Sequence, residues 1–139
     1  MDLTPIAQKI FANDFYATQA TGIHIEYVDE DTTVCTLQID NRHLNAKGSV
    51  MGGVIFTLAD FSFAIAANSH ILAEQQESLQ WVSSSSTINF LSSPKGHSLK
   101  ATTIRIKQGR TQSLYQISIT DSSNRQIALV TTTGTKITA

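Results

Sequence analysis

Apolar positions divide the chain into segments with two different periods. Near the N-terminus Ile6, Ile10 and Phe11 recur at helical spacing behind Thr4 and Pro5. This predicts a short amphipathic helix within 1–20, with Thr4 as its cap and Pro5 at its first position. Gly22 marks a break, and residues 23–27 and 33–39 then read as two strands around an Asp29-Glu30-Asp31 turn. Residues 40–50 are polar and read as a loop. From Gly53 the period changes to that of a helix, 53–68, with apolar residues all round it. A helix of that kind is normally buried and needs a wrapper. Four long Thr- and Ile-rich segments follow, 79–91, 97–108, 111–121 and 126–136, separated by 92–96, Gly109-Arg110 and 122–124. Turn residues at such regular spacing predict an antiparallel meander. Leu99 and Ala101 share one parity and Ile104 and Ile106 the other, which predicts a bulge near Thr102. The expected class is α+β: a curved antiparallel β-sheet wrapped around a long central α-helix, in a single domain of 1–139.

Composition narrows the functions open to such a chain. Charged residues make up only 15%, against roughly 25% in an ordinary globular protein. The deficit is filled by 15 Ser and 17 Thr rather than by extra apolar residues. A net charge of -1 gives no basic stripe for nucleic acid. The apolar content suffices for a core, which excludes a disordered tail. One cysteine, Cys35, excludes an internal disulfide and a cysteine-based zinc site. It shares a strand face with Leu37 and Ile39 and reads as a small core residue. The N-terminus lacks the basic start and apolar run of a secretory signal, and no run of about 18 apolar residues predicts a membrane span. The expected compartment is the cytoplasm.

A few residues carry candidate chemistry. Asp60 stands mid-helix among Leu58, Ala59, Phe61 and Phe63. An ionised carboxylate there is costly unless paired, so it is either a structural group bonded to nearby backbone or a carboxylate tuned as a base. Gly52-Gly53 at the helix start is either a tight turn or a place where free N–H groups meet a ligand oxygen. Asn45 in the preceding loop is either a turn residue or an amide that holds water or a carbonyl. The chain has no phosphate-loop or dinucleotide glycine pattern and no Gly-x-Ser-x-Gly elbow. His24, His43, His70 and His97 lack metal-site spacing; no metal is expected, and most of them are expected to be solvated in strands or loops. The run Ser83-Ser84-Ser85-Ser86 sits in a strand, where alternate hydroxyls face opposite sides.

The stretch from His43 through Asn45, Gly48, Met51-Gly52-Gly53 and Leu58-Ala59-Asp60 resembles the signature of the hotdog-fold thioesterases. Within that superfamily it is most similar to the phenylacetate-pathway (PaaI-like) acyl-CoA thioesterases. Their pattern has an Asn, a Gly, a His-Gly-Gly and then Leu-Ala-Asp. The segments from Thr87 to Leu91 with Pro94 and Gly96, from Lys107 to Arg110, and from Gln126 to Val130 with Thr133-Gly134-Thr135 are similar to later parts of the family. The resemblance implies a hotdog fold and hydrolysis of an acyl- or aryl-CoA thioester, without cofactor beyond the coenzyme A of the substrate. It implies Asp60 as nucleophile or general base, the Gly53 N–H as the group that polarises the carbonyl, and Asn45 and Ser83 as aids to water or thioester. It implies a homodimer or homotetramer with sites between subunits. Met51 stands where the family has His, and with Gly52 it borders the substrate. Lys95, Lys107 and Arg110 are cations near turns that either meet the coenzyme A phosphates or carry plain surface charge. A non-catalytic acyl-CoA-binding module is the alternative; a hotdog dehydratase would want a histidine where Met51 stands.

Overall fold

The computed structural model describes residues 1–74 and 78–137. Of the 1–139 span, residues 75–77 and 138–139 lie outside the described residues. The N-terminal segment is two helical pieces rather than one. Helix α1 is Thr4–Phe11, and a π-helical piece, Tyr16–Thr21, follows a turn and ends at Gly22 with φ +86°. Thr4 is not the cap. Leu3 holds that position, and the Asp2 carboxylate accepts the Thr4 N–H at 2.9 Å. The Thr4 hydroxyl is engaged elsewhere, accepting the Val28 N–H at 2.9 Å and tying α1 to the first strand.

Six strands follow: β1 Ile23–Val28, β2 Thr32–Gln38, β3 Trp81–Phe90, β4 Ser98–Gln108, β5 Gln112–Asp121 and β6 Gln126–Lys136. They form one antiparallel sheet in the order β1-β2-β4-β5-β6-β3. Only β4-β5-β6 is a meander, so the four-segment meander expected from the turns is corrected. Residues 92–96 are a crossover: β3 pairs with β6 at the far edge, and the chain returns to lay β4 beside β2. The crossover is pinned to the β5–β6 hairpin by the Lys95 N–H on the Asp121 carboxylate, 2.9 Å, and the His97 N–H on the Ser122 hydroxyl, 3.1 Å. Serine, proline and glycine break a strand equally well for a hairpin or a crossover, so the turn signal alone cannot order the strands.

The bulge in β4 lies at Arg105–Lys107, not near Thr102, and the β2–β4 ladder is regular from Gln38↔Ser98 to Thr32↔Ile104. Leu99, Ala101 and Thr103 face inward and are buried, while Ile104 and Ile106 are exposed. The parity change reflects apolar residues on the outer face rather than a kink at Thr102.

Helix α2, Gly52–Ala67, lies on the concave face, and the short α3, Ser69–Ala73, follows it. Ile55, Leu58, Ala59, Phe61, Phe63, Ile65, Ala66 and Ala67 are buried, which is why the apolar pattern runs all round the helix. The Phe11 ring meets Phe61 edge-on at 5.9 Å, and Phe63 meets Tyr115 at 5.5 Å. Cys35 is buried in this core as expected, and burial pushes its thiol up to about 12. No helix among the described residues is long and apolar enough to cross a membrane.

Candidate active site

The loop before α2 is fixed by two side chains. Asp40 and His43 form a reciprocal cap on the 3-10 turn Asn41–His43: the carboxylate accepts the Arg42 N–H at 3.0 Å, and His43 Nδ1 accepts the Asp40 N–H at 2.9 Å. Nε2 of the same ring faces the Thr21 carbonyl at 2.7 Å, and Arg42 donates to the carbonyls of Gln19 and Ala20 at 3.1 Å. The loop is thereby bolted to the π-helical piece. His43 is buried, unlike the exposed His24, His70 and His97, and His70 lies on α3 rather than in a strand or loop. The His43 carbonyl accepts the Met51 N–H at 2.8 Å, so this anchor also sets where α2 begins.

Asn45 shapes the rest of the loop. Its Oδ1 accepts from the N–H groups of Lys47 and Ser49 at 2.9 and 3.1 Å, and its own N–H reaches the Ser49 carbonyl at 2.7 Å. The turn reading of this residue is met by its carbonyl end. The carbonyl end makes the turn, and the Nδ2 donor has no partner among the described residues.

Gly52 and Gly53 are the first two residues of α2, and Met51 is its cap without a side-chain hydrogen bond. N–H groups in a first turn have no carbonyl four residues back to bond. Among the described residues neither glycine N–H finds another partner. The two are not equivalent: a Cβ on Gly52 would lie 3.0 Å from the Phe90 ring, whereas one on Gly53 would meet nothing within 4 Å. Gly53 is also exposed, and its N–H has the positive end of the helix dipole behind it. A cleft of ≈ 470 Å³ opens here, walled by Asn45, Val50, Gly52, Ile55, Phe90 and Pro94, and Met51 is 46% exposed beside it.

Asp60 lies two turns further along α2 and is half-buried. Burial pushes its carboxyl above the ordinary 3.8, the facing Ser83 hydroxyl pulls it back, and the charge of Asp14 adds to the rise. It lines a second cleft of ≈ 290 Å³ with Ser83, with Asp14 near it and walls from Phe11, Phe63 and Trp81. Ser83 reaches this side because of a bulge in β3. The β3–β6 register shifts between Ser83 and Ser85, so Ser83 opposes Gly134 while Ser86 opposes Thr132, both on the face that meets α2. Simple alternation would turn Ser83 away. Ser84, at the shift, donates to the Thr133 carbonyl at 3.0 Å.

The structure thus brings Asp60 to Ser83, and Gly52 to Asn45, in separate clefts; Gly53, next along the helix, lines neither. It also divides the cations. Lys95 follows Pro94 at the wall of the head-of-helix cleft, while Lys107 lies at the opposite end of β4 with Arg110 in the next turn. At about 3.3 Å per residue β4 spans roughly 30 Å, so these cations cannot meet one phosphate within one chain. Sequence reasoning missed Phe90, which covers Gly52, and Asn68, which ties α2 to β3. The one signal for Asn68 was a polar residue closing an otherwise apolar helix.

The sequence model of the Thioesterase superfamily matches residues 47–128. The chain belongs to the thioesterase superfamily. The acyl-coenzyme A thioesterase PaaI of Escherichia coli K12 is 36% identical over 124 residues, 88% of this chain and 83% of that protein. The solved structure of the E. coli PaaI protein from the phenylacetic acid degradation operon superposes with a TM-score of 0.81 at 31% identity, covering 99% of this chain and 97% of that one. A Streptococcus mutans protein solved with bound acetyl-CoA has a TM-score of 0.73 at 23% identity, covering 83% of this chain and 88% of that one. The chain is a PaaI-like, hotdog-fold thioesterase, an enzyme that hydrolyses thioesters. The stretch matched by the superfamily holds Gly53, Asp60 and Ser83, and leaves Asn45 just outside it.

Proposed function

We propose that this thioesterase hydrolyses acyl-CoA thioesters at a site shared by two copies of the chain. The observation that carries this reading is the pairing of an open, unpartnered Gly53 N–H with a half-buried Asp60 on one helix, too far apart to serve one carbonyl. Seven residues along a helix span about 10 Å. The relative named for acyl-CoA hydrolysis and the acetyl-CoA-bound neighbour support this substrate class.

Strand β3 supports the shared site. It is one of the sheet's two edge strands, it contains no charged residue, and most of it is exposed. Charges and prolines are the usual protection of a free edge, so a bare one calls for a partner strand. A second copy pairing antiparallel along β3 would bring its Trp81–Ser83 end, beside its own Asp60, to the Phe90 end of the first, beside Gly52 and Gly53. The carboxylate of one copy and the helix head of the other then face one thioester.

The chemistry follows from that geometry. The Gly53 N–H stabilises the charge that develops on the carbonyl oxygen, a donor of a kind worth about 100- to 1000-fold in rate. Asp60 acts in its ionised form by one of two routes: it takes a proton from the water that adds to the carbonyl carbon and passes it to the departing sulfur, or it attacks that carbon itself, forming an anhydride that water then opens while the coenzyme A thiolate takes its proton from solvent. Ser83 and the Asn45 amide orient water or thioester, Met51 and Gly52 line the approach, and the aromatic Asp60 cleft takes the acyl group. Lys95 of the copy that supplies Gly53 meets the phosphates at the cleft mouth; Lys107 and Arg110 reach them from the second copy. The test is thiol release from a panel of aryl-, short- and medium-chain acyl-CoAs. Turnover that vanishes in Asp60→Asn supports the proposal, and a wild type inert on every substrate overturns it.

A further inference from the structure

Asn68 closes α2 and is 1% exposed. Its Nδ2 donates to the Ala64 carbonyl at 2.7 Å and to the Trp81 carbonyl at 3.2 Å. Its Oδ1 accepts the N–H groups of Gln80 and Trp81, both at 3.0 Å. Two donors and two lone pairs exhaust what a side-chain amide offers. All of it goes into one joint, between the last turn of the central helix and the first residues of β3. The bond to Ala64 completes the end of α2, because the Asn68 backbone N–H goes to the carbonyls of Ile65 and Ala66 instead; the three bonds to Gln80 and Trp81 serve no helix cap and make the joint.

The joint lies in line with the candidate chemistry. Asp60, Ala64 and Asn68 follow one another at helical spacing on a single face of α2. Trp81 and Ser83 look toward that face from β3, and these five residues line the same cleft. Ser83 is two residues beyond the clamped Trp81, and the bulge behind it turns it toward Asp60. We propose that Asn68 is a positioning residue of the thioesterase site: by fixing where β3 leaves the end of α2, it fixes where the Ser83 hydroxyl stands against the Asp60 carboxyl. Its effect on turnover rests on the reading of Asp60 as the catalytic carboxylate; its effect on geometry does not.

The test follows the Asp60 carboxyl by carbon NMR titration in the full-length wild type, Ser83→Ala, Asn68→Ala and the double variant, alongside kcat and KM. Besides Asp60, the charged side chain lining this cleft among the described residues is Asp14, from the turn after α1. Neither α2 nor β3 contributes another charge. Removing the Ser83 hydroxyl removes the influence that holds the Asp60 pKa down, so Ser83→Ala moves the titration upward. The expected result is that Asn68→Ala moves it the same way, adds nothing in the Ser83→Ala background, and lowers kcat by about 10- to 100-fold with KM held. An Asn68→Ala titration that matches the wild type, or an equal further shift in the Ser83→Ala background, overturns the proposal. Where Asn68→Ala does not fold, Asn68→Ser keeps one donor and one acceptor at the joint, and the same outcomes decide. A wild type that hydrolyses no acyl-CoA yet shows the coupled titrations removes the functional reading and leaves the positioning role standing.

Discussion

The ring of Phe90 rests against Gly52, 3.0 Å from where a Cβ would be, and leaves Gly53 as the uncovered donor at the head of α2. A single substitution can therefore remove that donor with little change to the helix. Gly53 is the second residue of α2, the position that Pro5 holds in α1, and its N–H has no partner to lose. Gly53→Pro is expected to lower kcat by about 100- to 1000-fold while the melting temperature holds or rises. A comparable fall in both would assign the loss to misfolding.

Asp60 couples activity to pH and to stability with opposite signs. Burial raises its folded pKa above the ordinary 3.8. In the proposed mechanism the ionised form reacts, so kcat/KM is expected to fall as pH drops through this raised pKa. For stability, the folded state binds more protons than the unfolded one between the two pKa values. Stability therefore declines as pH rises through that window and stays lowered above it. Asp60→Asn is expected to be inactive, to melt higher than wild type at neutral pH, and to lose that advantage below the unfolded pKa. Melting curves across pH check the sign.

These two residues were legible in the sequence because each breaks a local rule: a carboxylate inside an apolar helix, and two glycines where a helix must start. The helix itself was legible because an all-apolar surface has no other place to be. The strand order was not, since Ser92 to Gly96 punctuates the chain as a hairpin would while the structure uses it as a crossover. The inward turn of Ser83 was hidden too. It depends on a register shift against β6, a property of two strands that one strand's alternation cannot show. In the sequence His43 looks like a loop polar and Asn68 like a polar residue ending the helix; only the carbonyls and N–H groups around them reveal that each is a joint.

Gly134 sets how closely the central helix lies on β6. A Cβ there would fall 2.8 Å from the Phe63 ring and 2.5 Å from the Ser113 hydroxyl. Phe63 cannot swing away freely, because its other edge is held against Tyr115. Gly134→Ala is expected to destabilise the fold by about 1–3 kcal/mol, as overpacking of a filled core does. Denaturant unfolding measures it, and Phe63→Leu in the same chain is expected to return part of the loss.

Subunit mixing tests the shared site directly. Asp60→Asn and Gly53→Pro are each expected to be inactive as pure oligomers. In a mixed dimer one site combines both defects. The other combines the intact Asp60 of the Gly53→Pro chain with the intact Gly53 of the Asp60→Asn chain. With random reassociation half the dimers are mixed and each carries one good site, so mixing equal amounts is expected to restore about a quarter of wild-type activity. A site built within one chain predicts no recovery at any ratio. Unfolding and refolding the two variants together, with each refolded alone as the control, separates these outcomes. The distance along α2 favours recovery, because about 10 Å of rigid helix keeps the Asp60 and Gly53 of one copy apart whatever the side chains do.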